Sequence, residues 1–276
     1  MFSHEAIEHF LNSLNENGSS SETVRAYGSD LKGLLTWMET SWVPKMPSQD
    51  TSPESLTKVY LNLHKETWAP RTLKRKAACI KAFAKFIGES GFLADYRLPN
   101  PGRAIPHPIP EGVSGVLDML YLCTNSEQQC LVALCGLMGL RVSEARSVHS
   151  GSFNLVDETL TVEGKGNKTR TLPVTAAAWK WIEPAYLDAI TIEYRVPLIN
   201  YSDRGARVLI ARLGRKASLM RAISSHDLRA TFATAAYNKS RDLRVVQELM
   251  GHSSSQTTEV YTGVVMEKMR EAAEIA

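Results

Sequence analysis

The spacing of apolar residues in the first hundred positions is that of amphipathic helices. Apolar side chains recur every three or four residues in the segments 3–15, 19–35, 54–65 and 70–88, which predicts four helices. A polar loop that contains prolines separates the second helix from the third. We therefore predict a helical domain over residues 1–98.

The helix at 70–88 separates positive charge from apolar surface. At 100° per residue, one side carries only basic side chains among its charged positions: Arg71, Lys74, Arg75, Lys81 and Lys85. The opposite side is apolar: Leu73, Ala77, Ile80, Phe83, Ala84 and Ile87. A charge run alone is more typical of a solvated face. No acidic residue lies between Thr67 and Gly88, however, and cations of one sign over this length favour contact with phosphates. We predict that the five basic residues bind DNA.

A proline-rich segment divides the chain. Five of the twelve prolines lie between Leu98 and Gly112, and this density disfavours both a helix and a central strand. It is typical of an extended linker. Residues 99–112 are therefore the predicted linker, and residues 113–276 the predicted second domain.

The second domain combines helices with one β-hairpin. Helices are predicted in four places: 113–123, 127–138, 175–190 with an interruption near Pro184, and 264–276. The segments 159–162 and 169–172 alternate apolar and polar residues around a glycine-bearing turn, which predicts a hairpin. The predicted fold class is mainly α, with a small β-hairpin or sheet in the second domain.

Composition narrows the class of protein without identifying its function. The 276 residues are 43% hydrophobic and 22% charged, with a net charge of +3, as in ordinary globular proteins of about two domains. The longest apolar run, 130–140, is too short to span a bilayer, and residues 1–10 lack a signal-peptide pattern. We therefore expect a cytoplasmic protein with no membrane partner. The cysteines form no C-x-x-C pair and are predicted to be buried, reduced thiols.

Candidate chemistry concentrates toward the C-terminus. His226 and Arg229 are three positions apart, so on a helix they share one face and can converge on one anionic group. His252 follows, and Tyr261 lies nine residues further on. Together these side chains suit phosphoryl transfer to a tyrosine hydroxyl. A basic stretch without acids, 204–221, precedes them; it suits a phosphodiester but equally a solvated helix face.

Further cationic candidates lie upstream. Arg141 emerges from a hydrophobic run and must find an anionic partner or solvent. On this segment alone, a structural salt bridge with Glu144 and a catalytic role are both open. On the hairpin, three cations compete to reach into a DNA groove: Lys165, Lys168 and Arg170.

These motifs, in this order, resemble the signature of the tyrosine recombinases, the phage-integrase family. The matching stretches are His226-x-x-Arg229, L-M-G-H-S at 249–253, Tyr261, G-L-R-V-S-E-A at 139–145, and T-x-x-x-Y-x-x-D-L at 23–31. Among the hairpin cations, Lys165 fits the family pattern best. The resemblance implies a helical, SAM-like core-binding domain followed by a catalytic domain.

The resemblance also implies a 3′-phosphotyrosyl intermediate and a catalytic set: Arg141, Lys165, His226, Arg229, His252 and Tyr261. The two arginines can present planar donor forks to the non-bridging phosphate oxygens. His226 would accept the tyrosine proton or bind the phosphate, and Lys165 would protonate the leaving 5′ hydroxyl. His252 would donate to the phosphate or the attacking oxygen, and Glu144 would orient its neighbours.

The partners follow from the same resemblance. Storing the phosphodiester energy in the Tyr–DNA bond removes the need for ATP or a divalent ion, so we expect no cofactor and no metal. The implied partners are double-stranded DNA with attachment or core-type sites, a homotetramer on DNA that is a monomer free in solution, and accessory DNA-bending or directionality factors. The C-terminal helix has two readings, packing on its own domain or docking on a neighbouring protomer.

We expect a small phage or mobile-element integrase, because the chain starts at what resembles the core-binding domain and leaves no room for an arm-binding domain. A Xer-like chromosome or plasmid resolvase is the alternative; it is weakened by Ala230, where the family often has histidine. A non-catalytic DNA-binding regulator of recombinase ancestry is disfavoured by the intact catalytic set. A type IB topoisomerase shares the chemistry and differs in its products.

Overall fold

The chain forms two compact units. The computed structural model describes residues 2–40, 52–100, 107–164, 169–192, 195–251 and 262–275. Unit 1 comprises Met1–Ala104 and unit 2 Ile105–Ala276, and each has its own hydrophobic core. Across the described ranges, no helix is both long and apolar enough to cross a bilayer.

Unit 1 contains the four predicted helices. They are α1 (His4–Glu16), α2 (Ser21–Thr40), α3 (Pro53–Leu63) and α4 (Pro70–Phe86). Hydroxyl caps begin two of them: the Ser3 Oγ accepts from the backbone N–H of Ala6 at 3.1 Å, and Ser52 caps α3 just before a proline at the first helical position. The apolar side of α4 is buried in the core, as its periodicity predicted.

Unit 2 is mainly helical around a small sheet. Its elements are α5 (Val113–Tyr121), α6 (Ser126–Gly136), α7 (Val142–Ser147), a short 3₁₀ helix (Ser150–Ser152), β1 (Phe153–Asn154), β2 (Thr159–Glu163), β3 (Thr169–Pro173), α8 (Ala176–Ile190), α9 (Asp203–Lys216), α10 (Ser225–Ser240), α11 (Leu243–Met250) and α12 (Thr262–Ala273). The predicted fold class, mainly α with a small antiparallel sheet, is confirmed.

The sheet has strand order β1-β2-β3 and is antiparallel throughout. Leu160 pairs with Leu172 in the β2–β3 ladder, and both side chains are buried. Alternate residues of β2 therefore pack on the helices, as the period-two pattern predicted. The third strand, β1, was not predicted; two residues are too few to show a period.

Helix α6 runs through the centre of unit 2, with every residue from Cys130 to Gly136 buried. Helix α8 packs against it. The predicted interruption near Pro184 is wrong, because α8 continues through the proline. Packing of Trp181 and Ile182 into the core offsets the hydrogen bond that a proline removes from a helix, a loss of about 3 kcal/mol. All four cysteines are free thiols, and three of them are buried.

Helix α12 packs on its own unit in the single chain. Met269, Ala272 and Ala273 are buried in the core of unit 2. The Lys239 ammonium on α10 donates to the backbone carbonyl of Glu274 at 2.7 Å. The first of the two readings of the C-terminal helix is therefore the arrangement described.

Candidate active site

Helix α10 begins with a reciprocal cap that sets the position of His226 and Arg229. The carboxylate of Asp227 accepts the backbone N–H of Ser224 at 2.7 Å, and the Ser224 hydroxyl caps the first turn in return. Arg221 adds an ion pair to Asp227 at 2.8 Å. Burial alone would raise the pKa of Asp227, but hydrogen bonds from Arg221 and Ser224 outweigh it and lower that pKa. The N-terminus of α10 is thus fixed by local charge and capping.

Arg229 lies almost fully inside unit 2. Its guanidinium donates to the backbone carbonyl of Gly139, before α7, and to the carbonyl of Met250, at the end of α11. Burial, together with the nearby Arg141 cation, lowers the pKa of Arg229 to about 10. The group therefore remains charged at neutral pH, and two backbone segments fix its orientation.

Gly139 permits this arrangement. Its φ is +69°, and a Cβ placed there would lie 2.4 Å from Cδ1 of Phe232, so both the backbone conformation and the space require glycine. The glycine lets the chain turn closely over Phe232 before α7 begins. Its carbonyl can then accept from Arg229.

Arg141 is both paired and accessible. Its backbone N–H donates to Oε2 of Glu144 at 2.8 Å, and its Nη1 donates to Oε1 at 2.6 Å. The side chain nevertheless keeps 41% exposure, which leaves guanidinium donors facing solvent. The salt bridge that the sequence left open is therefore present, and it coexists with a surface that can bind an anion.

Glu144 is the buried anion around which three arginines gather. Its side chain is 3% exposed. Arg170 donates to both of its oxygens, at 3.0 and 2.9 Å, and Nη1 of Arg229 lies 3.7 Å from Oε2. Burial alone would raise the pKa of Glu144, but the hydrogen bonds from Arg170 and Arg141 outweigh it and hold the pKa at about 2. The carboxylate is therefore ionised throughout the neutral range.

An open hollow brings together three of the predicted catalytic side chains. It is lined by Arg141, Val142, Ser143, Arg207, Ser225, His226 and Arg229. His226 is exposed at its edge. Arg207, on α9, was part of the basic stretch in the sequence but was not predicted as a site residue; it pairs with Asp203 at 2.7 Å. Three cations and a histidine around one hollow make a site for an anionic group such as a phosphodiester.

Lys165, His252 and Tyr261 lie outside the described residues, as does Lys168. The elements that flank these positions in the chain all belong to unit 2. Strands β2 and β3 flank the segment with Lys165, and helices α11 and α12 flank the segment with His252 and Tyr261. Met250, which ends α11, contacts Arg229 through its carbonyl. The last residues described before His252 therefore lie beside that arginine.

Arg170 was one of the three cations that competed for the DNA groove. Its side chain is only 14% exposed, and both terminal nitrogens bind Glu144. The guanidinium is thus held inside unit 2 and faces a protein carboxylate. The signal for this contact is absent from local sequence, because the partners are 26 residues apart.

The basic face of α4 is mostly exposed, and DNA binding by this face stays a prediction. Arg71, Lys74 and Lys85 are exposed and Lys81 is half-buried. Arg75 differs from them because its guanidinium pairs with the buried carboxylate of Asp30. That carboxylate also pairs at 2.8 Å with Lys76, a residue on the apolar side that the sequence did not single out.

Each of the two units matches a known domain family. Residues 115–268 match the Phage integrase family, and residues 7–90 match the Phage integrase N-terminal SAM-like domain. The chain is 32% identical over 288 residues to tyrosine recombinase XerC of Lactobacillus delbrueckii subsp. bulgaricus, covering 95% of each chain. It is 29% identical to XerC of Chromohalobacter salexigens, covering 98% of this chain and 94% of that one.

Solved structures show the same fold. A lambda integrase(75-356) dimer bound to a COC′ core site is similar with a TM-score of 0.68 at 18% identity, covering 94% of this chain and 97% of that one. XerH site-specific recombinase bound to difH is similar with a TM-score of 0.64 at 19% identity, covering 91% and 84%. The chain belongs to the phage integrase family and is a tyrosine-type site-specific recombinase.

Proposed function

We propose that Tyr261 attacks a DNA phosphodiester bound in the hollow between Arg141 and Arg229, and that the product is a 3′-phosphotyrosyl intermediate. The observation that carries this proposal is the convergence of Arg141, at the start of α7, with His226 and Arg229, both on α10, on one open hollow. Guanidinium and imidazole donors around one hollow suit a tetrahedral anion.

The charge of the site supports this use. Arg141, Arg170 and Arg229 surround the single carboxylate of Glu144, so this group has more positive than negative charge before any ligand binds. The excess faces the hollow through Arg141, which is the most exposed of the three. Fixed donors at this position stabilise the charge that accumulates on the non-bridging oxygens in the transition state.

Proton transfer completes the proposed reaction. A tyrosine hydroxyl has a pKa of about 10, so only about one in a thousand is ionised at neutral pH. His226 would accept the proton of Tyr261 as the Tyr Oη–P bond forms. Lys165 would donate a proton to the leaving O5′ as the P–O5′ bond breaks. His252 would donate to the phosphate.

Unit 1 would hold the duplex through the basic face of α4: Arg71, Lys74, Arg75, Lys81 and Lys85. We also propose the division into a core-binding domain at 1–98, a linker at 99–112 and a catalytic domain at 113–276. A lambda integrase tetramer bound to a Holliday junction has the same fold, with a TM-score of 0.68, which supports a homotetramer on DNA. The first candidate function is that of a phage or mobile-element integrase.

A Xer-like resolvase is the second candidate, because curated relatives at 28–32% identity are named XerC. The two candidates differ in their products. A resolvase acts on two identical sites and separates two direct repeats on one plasmid into two circles. An integrase joins two different sites. A plasmid with the captured site in direct repeat distinguishes the two, because a resolvase separates it into two circles and an integrase leaves it intact. A plasmid with a single copy of the site is the control.

Covalent capture tests the chemistry. Purified protein is mixed with nicked genomic duplexes in EDTA, quenched in SDS and assayed for protein–DNA adducts. We expect adducts from the wild type and from the control Tyr237→Phe, which changes a partly exposed tyrosine of α10, and none from Tyr261→Phe. Sequencing of the captured DNA supplies the site. Adducts that persist in Tyr261→Phe would show that another residue is the nucleophile.

A further inference from the structure

Arg170 connects three motif-bearing segments of unit 2. It is the second residue of β3, which begins directly after the segment that contains Lys165, and in the sheet it pairs with Val162 of β2. From this strand its guanidinium reaches Glu144 on α7. The hairpin is thereby joined to the segment that carries Arg141.

The same side chain packs against the end of α11. Gly251 caps that helix with a φ of +59°, and a Cβ placed on it would lie 2.8 Å from both Cδ and Nη1 of Arg170. The close approach of backbone and guanidinium leaves no room for a side chain at this position. Arg170 therefore contacts the residue directly before His252 as well as the carboxylate beside Arg141.

The geometry of the pair with Glu144 is specific to arginine. Two parallel N–H donors, at 3.0 and 2.9 Å from the two carboxylate oxygens, form a planar fork that fixes direction as well as distance. A lysine retains the charge but makes a single-point contact. Exchanging arginine for lysine thus removes orientation while preserving electrostatics.

We propose that Arg170 is a positioning residue that ties strand β3, which directly follows the Lys165 segment in the chain, to the carboxylate beside the phosphate-binding arginines. It does not touch the DNA. This inference rests on the proposed function, in which Lys165 protonates the leaving O5′. Loss of the fork would let the hairpin shift relative to Glu144, so proton delivery would suffer more than phosphate binding.

Replacing the leaving oxygen with sulfur separates these effects. A 5′-bridging phosphorothiolate releases a thiolate, whose conjugate acid has a pKa near 8.5, so it leaves without a general acid. The Tyr Oη–P bond still forms and the P–S bond breaks, with the electron pair remaining on sulfur. Any defect confined to proton delivery therefore disappears on the sulfur substrate, whereas a defect in phosphate binding or folding remains.

The experiment compares single-turnover cleavage of the captured duplex with O5′ or S5′ at the scissile position, for the wild type, Arg170→Lys and Arg170→Ala. Thr171→Ala, an exposed neighbour on the same strand, is the control and should keep the wild-type ratio. A positioned acid contributes roughly 10²- to 10⁴-fold. We expect the cleavage rate of Arg170→Lys to fall at least about tenfold on the oxygen substrate and less than about threefold on the sulfur substrate.

The ratio of the two rates comes from one protein preparation, so partial unfolding of a variant cancels. Equal losses on both substrates, or no loss on either, would overturn the role of Arg170. Failure of the proposed function looks different: the wild type itself would then form no Tyr261-dependent adduct on the sulfur substrate.

Discussion

Replacing Glu144 with glutamine tests whether one carboxylate supports the arginine cluster of unit 2. The substitution keeps the size of the side chain and removes its charge. Three guanidinium groups would then face a neutral amide at a site that is 3% exposed. Removing one partner of a buried ion pair leaves the others uncompensated and typically destabilises by about 3–5 kcal/mol.

The pKa of the Glu144 carboxyl gives a second estimate of how much this carboxylate stabilises unit 2. A value held at about 2 in the folded protein, against an ordinary 4.5, corresponds to about 3 kcal/mol of stability at neutral pH. Because the folded-state pKa is depressed, this stability is present above pH 4.5 and is lost as the pH falls toward 2. By pH 3 about 2 kcal/mol of it should be gone.

Labelling of buried thiols measures the unfolding of each unit separately in the full chain. Cys130 and Cys135 are fully buried in unit 2, and Cys79 is fully buried in unit 1. Urea titrations at pH 7, 5, 4 and 3, with a pyridyl disulfide as the labelling reagent and mass spectrometry to locate it, give the unfolding free energy of each unit. Cys79 is the internal control.

We expect Glu144→Gln to shift labelling of the unit 2 thiols by about 3 kcal/mol at pH 7, and the gap to the wild type to narrow below pH 4.5. A gap under about 1 kcal/mol at pH 7, or one that stays constant to pH 3, would refute the assignment of the carboxylate as the charged centre of the cluster.

Two more predictions use the same assay. Asp30→Asn should destabilise unit 1 alone, by about 3 kcal/mol, because it removes a buried carboxylate that pairs with the largely buried Lys76 and with Arg75; equal shifts in both units would contradict this. Gly139→Ala should destabilise unit 2 by about 3 kcal/mol through its positive φ and its clash with Phe232. Adding Phe232→Leu should restore part of that loss, and no restoration would show that backbone strain alone is responsible.

The sequence predicted elements whose signals are local. The apolar side of α4 is buried where a period of 3.6 residues placed it, and the β2–β3 hairpin has the expected alternation. The Arg141–Glu144 pair was accessible to the same reasoning, because the residues are three positions apart. His226 and Arg229 were expected to share a helix face, and both line the hollow.

Features that depend on distant partners were not predicted. The pairs of Glu144 with Arg170 and of Asp30 with Lys76 join residues far apart in the chain, and no periodicity reports such contacts. Arg170 therefore looked like a candidate for the DNA groove. The course of α8 through Pro184 depends on packing against α6, which outweighs the local preference of proline.

The two carbonyls that hold Arg229 give the site an unusual genetic property. Carbonyls of Gly139 and Met250 belong to the main chain, so no side-chain substitution can delete them. Most mutations at neighbouring positions leave the partners of this arginine intact, and mutational robustness is built into its placement. The sensitive positions are those where the backbone needs a positive φ, Gly139 and Gly251. Mutations that misorient Arg229 are therefore expected at these glycines rather than at its polar neighbours.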